Sequence, residues 1–66
     1  MKIKLNGAEK EIPAKDSLEA LIQKFCKQSK NIIAEVNGEI INGTEWPRKK
    51  IQDGDAVELV GFVGGG

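Results

Sequence analysis

The chain opens on strict alternation. Lys2-Ile3-Lys4-Leu5 sends polar and apolar side chains to opposite sides of an extended segment, Asn6-Gly7 is a residue pair suited to a two-residue hairpin turn, and Glu9 to Ile12 returns as a second strand. Pro13 has no N–H to give a ladder and ends it. The period then changes. Leu18, Leu21, Ile22, Phe25 and Cys26 recur at helical spacing and predict a helix with one apolar face. Its start is marked by Asp16 and Glu19 as a capping box, or by Ser17 as the cap instead. The polar run from Lys27 to Lys30 ends it.

Extended patterning resumes at Ile32 to Val36. Asn37-Gly38 repeats the hairpin signal, Glu39-Ile40-Ile41 returns as a short fourth strand, and Asn42-Gly43 breaks it. Thr44-Glu45-Trp46-Pro47 predicts a compact turn or a single helical turn, with Trp46 large enough to plug the bottom of a small core and Ile51 beside it. After the turn signal Asp53-Gly54-Asp55, the segment Ala56 to Phe62 forms the last strand. Val57 and Leu59 share one of its faces, Val60 and Phe62 the other. The order strand, strand, helix, strand, strand, strand is that of an α+β, ubiquitin-like β-grasp, in which one helix covers one face of a mixed sheet of about five strands. That fold implies a parallel central pairing of the first strand with the last, since the intervening elements supply the long connection that parallel neighbours need.

Composition narrows the function. At 66 residues the chain is one domain, and a domain of this size buries only about 60% of the surface its unfolded form exposes. Ten basic and ten acidic residues cancel, so no net field gathers nucleic acid or anionic lipid. The apolar runs are far too short to span a bilayer, and Met1 leads into a strand pattern rather than a signal peptide. The expectation is a soluble cytoplasmic protein. A single cysteine and no histidine rule out an internal disulfide and metal sites of the Cys/His kind. With neither His nor Tyr, acid–base chemistry near neutrality needs a strongly shifted carboxylate or lysine, for which so small a chain offers little burial. No cofactor is expected, and the residues argue against an autonomous enzyme. Cys26, on the apolar helix face, is assigned to packing. Arg48-Lys49-Lys50 reads as a solvated loop.

Three glycines close the chain. They have no side chains to pack and lose the most backbone entropy on ordering, so residues 1–63 are expected to form the domain and residues 64–66 a flexible tail. At about 3.3 to 3.6 Å per residue, Gly64 to Gly66 can reach roughly 10 Å from the domain, enough to thread a terminus into a partner's active site. Asn37-Gly38-Glu39-Ile40-Ile41, Trp46, Gln52-Asp53-Gly54-Asp55 and a last strand closing on Gly65-Gly66 resemble, in order and spacing, the ThiS family of sulfur carriers of thiamine biosynthesis. The resemblance covers nearly the whole chain. One departure is Asn42-Gly43, where many relatives have Pro-Arg, so a partner contact made by that arginine is not carried over.

The resemblance implies that the working group is the C-terminal carboxylate of Gly66, with Gly64 and Gly65 as the tail that delivers it. A ThiF-like adenylating enzyme, similar to ubiquitin-activating enzymes, would activate that carboxylate with ATP. A sulfur donor such as a cysteine desulfurase would convert it to a thiocarboxylate, and a ThiG-like thiazole synthase would receive the sulfur. The chain is then a co-substrate and not a catalyst. Two other functions fit the same pattern: a MoaD-like carrier for molybdopterin synthesis, differing only in the acceptor, and a non-covalent β-grasp adaptor, for which the glycines are dispensable. Val60 and Phe62, facing away from the helix directly before the glycines, are the expected partner-binding residues.

Overall fold

A computed structural model describes residues 1–13, 16–25 and 31–61. Five strands and one helix follow in the order β1 (Lys2–Leu5), β2 (Ala8–Glu11), α1 (Leu18–Phe25), β3 (Ile32–Val36), β4 (Glu39–Ile41), a 3₁₀ turn (Gly43–Glu45) and β5 (Ala56–Gly61). The strands lie side by side as β2-β1-β5-β3-β4. The first and last strands pair in parallel at the centre, Lys4 with Ala56 and Leu5 with Val57, and every other pairing is antiparallel. This is the mixed sheet that the element order predicts.

Both hairpins turn on Asn-Gly. Asn6 and Gly7 have φ of 52° and 84°, and Asn37 and Gly38 have 53° and 84°. Two consecutive left-handed residues make the turn whose twist matches paired strands, and asparagine and glycine tolerate that region best. The helix starts at Ser17, whose Oγ accepts the Ala20 N–H at 3.1 Å. The choice left open between Asp16 and Ser17 thus falls to serine, while Asp16 instead takes an ion pair from Lys24 at 2.9 Å. The first turn of α1 is also tied to the segment after the 3₁₀ turn: the Leu18 N–H donates to Lys49 O and the Glu19 N–H to Trp46 O, and the Ile51 N–H donates to Asp16 O.

The core lies between α1 and one face of the sheet. Leu18, Leu21 and Ile22 from the helix meet Ile3, Leu5, Ala34, Val36, Val57 and Leu59 from β1, β3 and β5, with Ile12 and Ile51 closing the ends. Trp46 packs on this cluster, half-buried, and its indole N–H donates to Ile41 O at 3.0 Å. Phe25 departs from the expectation. It is 45% exposed, because at the last position of α1 the sheet offers it Lys10 rather than an apolar side chain. The Lys10 ammonium sits 6.0 Å from the ring centroid, near the limit of a cation–π contact. Cys26, Phe62 and the three terminal glycines lie outside the described residues.

Candidate functional site

The expected site is a terminus, so the question for the fold is how firmly it holds the strand leading there. Three sets of bonds hold β5. At its start, the turn before the strand is closed on itself by the Gln52 N–H donating to Asp55 Oδ2 at 2.8 Å and the Asp55 N–H to Gln52 O at 3.0 Å. The same turn is fixed to β1 by the Lys2 N–H on Asp53 Oδ1 and the Gly54 N–H on Lys2 O, both 2.7 Å. From the other side, Asn37 in the second hairpin turn accepts the Ala56 N–H on Oδ1 at 2.9 Å and donates from Nδ2 to Asp55 Oδ1 at 3.0 Å.

Farther along, the first hairpin turn supplies the third hold. β1 ends at Leu5, so its ladder with β5 stops after Asn6 N–H donates to Val57 O at 2.9 Å. There the Asn6 side chain takes over: Oδ1 accepts the Leu59 N–H at 2.8 Å, and Nδ2 approaches Leu59 O at 3.4 Å. A side-chain amide has the donor and acceptor of a peptide group, so Asn6 extends the ladder by one rung without another residue of β1. The asparagines of the two Asn-Gly turns therefore grip β5 near either end. Their turn role is readable from sequence and their grip on β5 is not, since the bonds span 53 residues for Asn6 and 19 for Asn37.

β5 alternates as expected. Val57 and Leu59 are buried against the helix side, while Ala56, Glu58 and Val60 are exposed on the opposite face, Val60 by 51%. The register brings Ile33 opposite Val60, Glu35 opposite Glu58, and Ile40 opposite Glu35 on that same face. Ile40 is 65% exposed. Of the expected site residues the structure thus places Val60 on the open face two positions from Phe62 in sequence, and Ile33 and Ile40 join it there. Those two were not among the expected partner residues. Only the strand register sets Ile33 opposite Val60, and Ile40 one strand farther out, opposite Glu35.

Other chemistry is sparse among the described residues. No group of three or more acidic, histidine or cysteine side chains gathers as a metal site, and no helix is long and apolar enough to cross a membrane. Two surface grooves have mixed linings, one including Lys2, Ile3, Lys4, Glu9 and Asp53, the other Glu39, Ile40, Ile41, Glu45 and Arg48.

Comparison with known proteins agrees with this architecture. The chain is similar to the crystal structure of the thiamine biosynthesis protein ThiS from Geobacter metallireducens, with 28% identity, a TM-score of 0.86 and all of both chains covered. A solution structure of a thiamine biosynthesis protein from that organism matches with 26% identity and a TM-score of 0.79, over all of this chain and 88% of the other. A thiazole synthase from Paramagnetospirillum magneticum is 35% identical over 66 residues, and this chain spans only 20% of that relative's length. The ThiS family model matches residues 3–66: the chain belongs to the ThiS family.

Proposed function

We propose that this chain is a sulfur carrier of thiamine biosynthesis whose working group is the carboxylate of Gly66. The observation that carries the reading is the match to the ThiS family, which runs through the glycines to residue 66. The thiazole synthase relative supports the choice of acceptor. A protein of that name that contains a segment like this chain, and is several times longer, favours thiazole synthesis over the molybdopterin alternative.

The chemistry follows from the weakness of a carboxylate as an electrophile. A Gly66 carboxylate oxygen attacks the α-phosphorus of ATP in an adenylating enzyme, and pyrophosphate leaves. The terminal sulfur of a donor persulfide then attacks the acyl carbon and AMP departs with its electron pair. A second thiol cleaves the resulting acyl disulfide at its S–S bond, leaving sulfur on Gly66 as a thiocarboxylate and joining the donor sulfur in a new disulfide. A thiazole synthase takes up that nucleophilic sulfur. The carrier supplies a carboxylate on a slender stem, Gly64 and Gly65, together with a surface including Val60 and Phe62 by which the partner grips the domain.

Incubation with ATP, the cognate adenylating enzyme and a persulfide donor is expected to exchange one Gly66 oxygen for sulfur, read by intact mass and placed by fragmentation of the C-terminal peptide. Equal sulfuration of a chain extended past Gly66 contradicts the mechanism.

A further inference from the structure

The chain holds three Asn-Gly pairs, Asn6-Gly7, Asn37-Gly38 and Asn42-Gly43. Asparagine is chemically labile, most of all before glycine, where no side chain keeps the next backbone nitrogen from reaching the asparagine Cγ. All three asparagines are exposed, so access of water does not distinguish them. Their side-chain bonds do. Asn6 is held at both ends of its amide by Leu59, through Oδ1 at 2.8 Å and Nδ2 at 3.4 Å. Asn37 is held by the Ala56 N–H on Oδ1 at 2.9 Å and by Asp55 on Nδ2 at 3.0 Å. Asn42 stands before the 3₁₀ turn in extended backbone, φ −65° and ψ 147°, and its side chain caps nothing. No side-chain bond to a described residue holds it.

We propose that Asn42-Gly43 is a deamidation site of the folded chain, with water as co-reactant, and that the isoaspartyl product releases the turn carrying Trp46. The Gly43 nitrogen loses its proton and attacks the Asn42 Cγ. The bond from Cγ to the amide nitrogen breaks, ammonia leaves, and a succinimide ring is closed. Water then opens the ring at either carbonyl. Opening at the former side-chain carbonyl gives aspartate, and opening at the main-chain carbonyl gives isoaspartate, whose backbone runs through Cβ and Cγ and is longer by one carbon. Closure turns the 42–43 peptide and releases the bond from the Glu45 N–H to Asn42 O. At Asn6 and Asn37 two side-chain bonds must break before Cγ can move, which slows attack by about tenfold or more. The added carbon falls where the Glu45 and Trp46 N–H groups find their acceptors, Asn42 O and Gly43 O. Trp46 itself joins the end of β4 to the start of α1, donating its indole N–H to Ile41 O and accepting the Glu19 N–H on its backbone oxygen. Lengthened backbone at this point shifts that link out of register. The proposal is independent of the carrier reading.

The purified chain, incubated folded in mildly alkaline buffer and in parallel in urea, tests the assignment by peptide mapping of the three sites over time. Dividing the rate in urea by the rate in the folded chain removes the influence of neighbouring residues. That ratio at Asn6 and Asn37 should exceed the ratio at Asn42 by about tenfold or more. Asn42→Gln, whose longer side chain disfavours the ring, should leave the folded chain nearly unmodified over the same period. Ratios alike at the three sites, or largest at Asn42, overturn the assignment. The isoaspartyl fraction, isolated by chromatography and identified by labelling with an isoaspartyl methyltransferase, reads the consequence. Trp46 is the chain's single tryptophan, so its emission should shift to the red and the thermal midpoint should fall, while the aspartyl fraction stays close to the parent. Parent-like emission and midpoint in the isoaspartyl fraction overturn the release of the turn.

Discussion

The two faces of β5 differ in what they do with apolar side chains. Val57 and Leu59 on one face are sealed beneath α1, whereas Val60 on the other stands half exposed opposite Ile33, with Ile40 farther out on the same sheet face. Burial of a side chain of this size is worth about 1.5–3 kcal/mol, so the first face accounts for stability. The second face gains little of that in the free protein. Single exposed apolar groups are ordinary, but exposed Val60 and Ile40 with partly buried Ile33 on the same sheet face, near the proposed working end, are the surface we propose for a partner. On the proposed reading, one strand serves the fold with one set of alternating residues and recognition with the other.

Mutations can break this division or sharpen it. Leu59→Ala should have the largest effect, a loss of about 2–5 kcal/mol. A chain of this length has a total stability of only roughly 3–10 kcal/mol, so its urea transition should move close to buffer conditions. A loss below about 1 kcal/mol, the range of surface substitutions, contradicts the division of faces.

Asn6 comes next. Asn6→Ala removes both side-chain bonds to Leu59 and places a β-carbon without asparagine's tolerance at φ 52°, for a combined cost of about 2–3 kcal/mol. Asn6→Gly removes the same bonds but suits the turn, and should lose about 1 kcal/mol less. Equal stability of Asn6→Gly and the parent in chemical denaturation means that the extra rung contributes nothing.

On the open face, Val60→Ser should cost less than about 1 kcal/mol of stability and weaken adenylating-enzyme binding by about tenfold. Phe62→Ala is expected to behave alike. A loss near 3–5 kcal/mol for Phe62→Ala, with partner affinity unchanged, assigns that ring to the core instead. The smallest effect is expected of Cys26→Ser, which should accept sulfur at Gly66 as the parent does. A well-folded Cys26→Ser chain that gains no thiocarboxylate makes the thiol part of the chemistry.

Most of the fold is legible because it is written in local signals. Alternation in Lys2 to Leu5, helical spacing of Leu18, Leu21 and Ile22, and the two Asn-Gly pairs each specify their element without distant help, and the resulting order restricts the sheet to few topologies. What the sequence does not disclose is long-range. Phe25 fits the helical stripe, yet the residue below it depends on where β2 runs, and that residue is Lys10. Asn6 and Asn37 read as turn residues, while their second function depends on which strand passes beside the turn. Glu35 and Glu58 lie 23 positions apart, and only the antiparallel register of β3 and β5 makes them neighbours. The terminal glycines carry no packing pattern at all, so family resemblance rather than periodicity points to Gly66.

On the proposed reading, a domain that folds through its buried face is separate from a carboxylate that works at the end of the chain. Blocking the Gly66 carboxylate as its amide probes that separation, with the thermal transition followed by circular dichroism and sulfur transfer followed by intact mass in the same preparation. An unchanged transition and complete loss of thiocarboxylate are expected. A blocked chain that still gains sulfur contradicts the mechanism.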